Sequence, residues 1–165
     1  PIEIAYMRGM AEADTEANVS KSDYAFGLKV KHIMPGLEFG YARTHDKSLD
    51  SNRGMSNDKI FGSYKVMPNL GVFYTGEEVE IAGSNHGAGD IDTYGIHYTM
   101  GNNMIQVAVA AGNMDTATTD YDTYSISNQM NLSKSTNLVI GITRKGVEGS
   151  GNAVRTYGLG LTHKF

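Results

Sequence analysis

The sequence contains no cysteine, no tryptophan and only three prolines. Without cysteine there is no disulfide framework, no thiolate metal site and no cysteine nucleophile. Long apolar runs are missing too: the longest is Val107 to Ala111, and the mean hydropathy is −0.33. A membrane-spanning helix needs roughly 20 apolar residues, so none can be built. A β-barrel escapes that test, because alternation keeps the mean hydropathy of its strands low. Basic charge is not in excess either. Lys+Arg 14 against Asp+Glu 18 leaves a net charge of −4, which argues against a nucleic-acid partner held by bulk charge. What is abundant is Gly (20) and Tyr (10), a composition of turns and strands. The 165 residues amount to one domain. The chain opens on Pro1 with no signal peptide, and reads as a mature exported form or a piece of a longer chain.

Hydrophobic alternation with period two runs through nearly the whole chain. Tyr24, Phe26, Leu28 and Val30 interleave with Ala25, Gly27, Lys29 and Lys31. The same rhythm recurs at Leu37–Tyr41, Ile60–Val66, Leu70–Tyr74, Tyr94–Met100, Ile105–Val109, Tyr124–Leu132, Leu138–Ile142 and Tyr157–Phe165, with a tenth segment at Ile2, Ile4 and Tyr6. A helix would wrap these apolar residues all round its axis, so the expectation is an all-β chain of about ten antiparallel strands. Connections alternate in length as well. Short turns are expected at Pro35-Gly36, Pro68-Asn69, Asn102-Asn103 and Lys134–Thr136. Longer polar loops are expected at Ala11–Lys21, Asp46–Asp58, Glu77–Asp90, Asp115–Asp122 and Gly146–Ala153, and they hold most of the acidic residues. Short, long, short, long along a meander puts every long loop on one side, as in outer-membrane barrels.

The two faces differ in an unusual sense. One is large and apolar, with Tyr24, Tyr41, Tyr74, Tyr94, Tyr124 and Tyr157 toward the long-loop end and Phe39, Tyr98 and Phe165 toward the other. Aromatic rows flanking aliphatic centres are the expected membrane girdle. The other face is rich in Gly, Ala, Ser and Thr and poor in charge, which suits the wall of a lumen better than a solvated exterior. On it parity places Lys29, Lys31, Glu38, Lys65, His97, Lys145 and Lys164 as pore-lining residues, giving a basic bias near the short turns. Phe61 and Phe73 fall on this lumen face unless a bulge intervenes, and Asn128 falls on the lipid face.

The closing run Tyr157-Gly-Leu-Gly-Leu-Thr-His-Lys-Phe165 resembles the last strand of Gram-negative outer-membrane porins. The resemblance is specific for these last residues; over the other strands only the pattern is shared. It implies an antiparallel transmembrane β-barrel in the outer membrane, forming a single domain over residues 1–165 or the C-terminal part of a larger barrel. General porins have about 16 strands and assemble as trimers, so the matched portion would be the last ten, without the inward constriction loop. Implied partners are outer-membrane lipid and lipopolysaccharide, the barrel-assembly machinery that reads the terminal strand, and small hydrophilic solutes, with a homotrimer as the assembly.

No catalytic constellation emerges from the histidines (His32, His45, His86, His97, His163). The acidic groups Glu77, Glu78, Glu80 and Asp115, Asp120, Asp122 lack the ligand spacing of a calcium loop. The expected function is therefore a passive channel for ions and small solutes, with no chemical step, cofactor or metal. The rivals are a plugged barrel with a structural or adhesive role and an outer-membrane enzyme.

Overall fold

In the computed structural model, residues 2–10, 22–31, 33–47, 54–81, 88–114, 120–148 and 153–164 are described. They form ten strands: β1 (Ile2–Met10), β2 (Ser22–Lys31), β3 (Leu37–Lys47), β4 (Gly54–Met67), β5 (Leu70–Ile81), β6 (Gly89–Met100), β7 (Asn103–Met114), β8 (Tyr121–Asn131), β9 (Thr136–Val147) and β10 (Ala153–His163). All belong to one sheet in strict chain order, each antiparallel to the next. Such a meander needs only tight reversals at one end. Pro35-Gly36 and Pro68-Asn69 are turns, and Gly101 begins the β6–β7 turn at φ +59. Gly36 (φ +80) has a left-handed backbone that a side chain would strain. These reversals also extend the ladder. The carbonyls of Gly36, Asn69, Asn102 and Ser135 accept from the amides of Lys65, Thr99, Asn131 and Lys164, at 2.8–2.9 Å.

Two expectations need correcting. The strands do not close into a barrel: β1 pairs only with β2, and β10 only with β9. Closing a sheet requires strand number, tilt and stagger to match, and the two edge strands share no ladder here. The strands also run further toward the long-loop end than the alternation of apolar residues suggested. Asp46, Asp58, Glu77, Glu78, Glu80, Asp90 and Asp122 are strand residues, not loop residues. Apolar periodicity ends where the apolar band ends, whereas backbone pairing continues through charged positions. Asn103 likewise belongs to β7 and not to the turn before it.

The registers carry one apolar row unbroken from β5 to β10. Val72 faces Ile96, Ile96 faces Val107, Val107 faces Ile126, Ile126 faces Ile142 and Ile142 faces Tyr157. Nothing among the described residues covers this face. Among the described residues the buried hydrophobics are Ala88 and Ala108 alone, and the accessible surface is 11716 Å². A compact chain of this mass would expose about 8,000 Å². The fold therefore rests on backbone ladders and cross-strand side-chain pairs, not on a core between two layers.

Glycine–aromatic pairs replace part of that missing core. Phe61 remains on the face opposite the aliphatic row, directly across from Gly40, and Phe73 across from Gly95. The register irregularity in this hairpin lies between Lys65 and Met67 and moves neither ring. A Cβ at Gly40 or Gly95 would collide with the facing ring and crowd a backbone carbonyl, that of Leu28 or Val107. His97 covers Gly71 and Tyr121 covers Gly112 in the same way. Each ring fills the space over a neighbouring strand where that strand has no side chain.

Candidate functional site

The candidate site is the sheet itself, read as two surfaces. Exposure along the strands alternates in the sense opposite to that of a soluble protein. On β6, Tyr94, Ile96 and Tyr98 are 56%, 50% and 42% exposed, whereas Thr93, Gly95 and His97 between them are more sheltered. On β8, Tyr124 and Ile126 are exposed while Thr123, Ser125 and Ser127 are partly enclosed. On β7, Val107 and Val109 are exposed and Ala108 is buried. A sheet curled around its small, polar face produces this pattern. Between Leu37 and Val109 the apolar surface also holds an open depression of about 610 Å³, lined mainly by Tyr64, Val72, Tyr74, Tyr94, Ile96 and Val107.

The apolar face has a defined upper boundary. Tyr24, Tyr41, Tyr74, Tyr94, Tyr124 and Tyr157 all lie on it, by their pairing with Arg8, Ile60, Tyr94, Val109, Arg144 and Ile142 respectively. Phe165 lies outside the described residues. The Tyr74 and Tyr94 rings are in contact, 5.0 Å between centroids, and Tyr24 stacks on His45 at 5.2 Å. The Tyr74 hydroxyl donates to Asp92 Oδ1 at 2.6 Å, and the Tyr41 hydroxyl donates to Asp58. The Tyr41 hydroxyl thus points into the next row outward, which is charged, whereas Tyr74 reaches Asp92 on the row of Tyr41, one row short of it. That charged row had no signal in the apolar periodicity and was missed. It runs Arg43, Asp58, Glu78 and Asp90 across β3 to β6, with an Arg43–Asp58 ion pair of 3.3 Å.

The polar face gathers Lys29, Lys31, Glu38, Lys65, His97 and Lys145, and its charges are paired more than parity alone could reveal. Lys31 Nζ lies 2.6 Å from Glu3 Oε1, and Lys29 Nζ lies 2.6 Å from Glu38 Oε2. Glu3 is directly opposite Lys29, and Glu38 is directly opposite Lys31. The four residues therefore form an interlocked neutral quartet across β1, β2 and β3. A second pair, Lys59 with Glu77 at 2.7 Å, is supported by Asn57 donating to the same carboxylate at 3.2 Å. Sequence reasoning missed this pair because Glu77 read as the start of a loop. Lys145 Nζ lies 3.5 Å from the Tyr121 ring centroid, a cation–π contact. Lys65 and Lys164 make no ion pair among the described residues, and Lys164 lies just beyond the end of β10.

His97 covers Gly71. His163 bonds Thr136 Oγ1 at 2.9 Å on the apolar face, and His32 and His86 lie outside the described residues. Asn128 is on the apolar face as expected, between Ile105 and Ile140, where its amide donates to Asn103 Oδ1 at 3.3 Å. No group of three potential metal ligands occurs among the described residues. No protein-family model matches the chain, and no curated protein matches it.

Proposed function

We propose that this chain forms wall of a Gram-negative outer-membrane β-barrel acting as a passive diffusion channel for ions and small hydrophilic solutes. The observation that carries the reading is the inverted exposure. Large apolar side chains face outward in an unbroken band, while glycine, alanine, serine, threonine and paired charges take the sheltered face. In water such an uncovered band is an aggregation surface; against lipid it is the stable arrangement, provided the sheet's edges are closed. Strands of 9 to 14 residues meet the roughly 9–11 residues that a tilted strand needs to cross a bilayer.

Closure brings the unpaired edges of β1 and β10 to partners, either each other or further strands of a larger barrel. The porin-like ending supports the second arrangement, in a homotrimer. β10 is the strand most open to capture: Tyr157, Leu159 and Leu161 are 74%, 77% and 67% exposed. That suits a terminal strand handed over by the barrel-assembly machinery. Small side chains along the polar face leave room for a water-filled lumen. Single-channel recording of the native protein in a planar bilayer tests the proposal. Steady ohmic openings are expected; a silent bilayer containing inserted protein would favour a plugged barrel or an enzyme and refute the channel.

A further inference from the structure

Beyond the tyrosine row, toward the long loops, the two faces exchange character. Glu78 and Glu80 on β5, Asp90 on β6 and Asp122 on β8 are exposed on the face that is apolar lower down. Val79, Ile91, Met114, Tyr121 and Val147 take the other face and are more sheltered than those carboxylates. The face read as the wall of the lumen is therefore polar toward the short turns and apolar toward the long loops. Ile91 stands opposite Gly112, Gly112 opposite Tyr121 and Tyr121 opposite Val147, so the apolar patch is continuous from β6 to β9. The Tyr121 ring occupies the space where Gly112 has no side chain.

A single cation borders this patch. Among the described strand residues on this face from β6 to β10, Lys145 alone carries a fixed charge. It stands opposite Thr123 and Val154, and it is exposed. Its Nζ lies 3.5 Å from the Tyr121 ring centroid and makes no ion pair among the described residues. Nearby carboxylates are placed elsewhere. Asp120, Asp122 and Glu148 share a depression with Arg144 that Lys145 does not line, and Glu77, at the far side of the patch, is held by Lys59 at 2.7 Å. An ammonium has three donors, and a ring face satisfies it by charge attraction without using them up. A bare inorganic anion would leave the apolar patch uncovered, and a neutral apolar solute would leave Lys145 without a counter-ion. A ligand that meets both features has one negative charge and an apolar body. We propose that Lys145 and Tyr121, with Ile91, Val147 and Val154, bind small organic carboxylates that carry an apolar body, the carboxylate on Nζ and the body against the apolar side chains. This rests on the channel reading above and goes further by naming a class of solute that the wall retains.

The probes are para-fluorobenzoate, the neutral para-fluorobenzamide, and fluoroacetate, which has the charge without the ring. Binding is read by fluorine NMR of each probe with the native protein folded in detergent micelles, against empty micelles. Conductance is read in a planar bilayer with and without para-fluorobenzoate. The wild type should bind para-fluorobenzoate saturably and about tenfold more tightly than either other probe, since each of those lacks one of the two contacts. K145Q should lose about tenfold for para-fluorobenzoate and nothing for the amide, whereas Y121F, which keeps the ring, should bind as wild type does. Para-fluorobenzoate should also lower wild-type conductance over the concentrations at which it binds, and leave that of K145Q unmoved. Equal binding of fluoroacetate would reveal a bare charge site and overturn the proposal; equal binding of the amide would reveal apolar partition and do the same. A lysine that only holds Tyr121 over Gly112 would give K145Q a lower urea midpoint with binding unchanged, which also overturns it. The comparison of probes is made on the wild type, so it decides the matter even where K145Q does not fold. A silent bilayer together with binding that depends on Lys145 would refute the channel and leave the site, whereas steady openings without saturable binding would remove the site alone.

Discussion

Val107 and Gln106 are adjacent on β7 and point to opposite faces, so an arginine at each measures what those faces meet. Val107 is 41% exposed. It stands between Ile96 and Ile126 across the sheet, with Ile105 and Val109 two residues away on its own strand. If that surface meets water, Val107→Arg changes an already exposed position and should stay within about 0.5 kcal/mol of wild type. If it meets hydrocarbon near mid-membrane, the guanidinium must be carried into the apolar band or snorkel past Val109, costing about 2–4 kcal/mol. The gap of roughly 2–3 kcal/mol corresponds to a factor of about 30–150 in the folding equilibrium. Gln106 faces His97 and Ser127 on the polar surface, where an added cation meets water and should cost under about 0.5 kcal/mol. With no tryptophan in the chain, the assay is reversible urea unfolding in lipid vesicles followed by far-UV circular dichroism. Two variants both close to wild type, or Gln106→Arg as costly as Val107→Arg, would refute the two-face assignment.

Gly95→Ala should destabilise by about 1–3 kcal/mol, since its Cβ meets the Phe73 ring and the Val107 carbonyl; adding Phe73→Leu should recover only the ring's share, in the same unfolding assay. Tyr74→Phe removes the 2.6 Å bond to Asp92 and should cost about 1 kcal/mol, with conductance unchanged. For selectivity, the neutral Glu3–Lys29–Lys31–Glu38 quartet leaves Lys65 and Lys164 as the bias near the short turns, so the channel should prefer anions modestly, and more strongly at low salt. Lys65→Glu should then move the reversal potential in a salt gradient toward cation preference; a wild type already selective for cations would contradict the assignment.

Much of this was legible in the sequence because a strand has a period of two whatever surrounds it. The alternation from Tyr24 to Val30, or from Tyr94 to Met100, assigned faces without reference to any neighbour, and with the turn residues it led to ten antiparallel strands in chain order. Phe61 and Phe73 look anomalous in that scheme only because their partners, Gly40 and Gly95, are distant in the chain. Once the strands pair, each ring lies where its neighbour leaves a gap. The acidic residues from Asp58 to Asp90 misled for a related reason. Polar positions on a strand carry no periodic signal, so a strand that continues past its apolar band reads as a loop.

The sequence by itself determined a count of about ten strands, the places of the short turns and which residues share a face, since all of these follow from local alternation and backbone sterics. Only the tertiary structure decided register, and register decided the electrostatics. It set Glu3 and Glu38 among the lysines of β2, Glu77 beside Lys59, and Arg144 against Arg155. It also left the outer edges of β1 and β10 without a ladder to each other, which no local pattern could foretell. Whether two edges meet depends on twist and curvature summed over all ten strands, whereas alternation along any one of them is complete within a few residues.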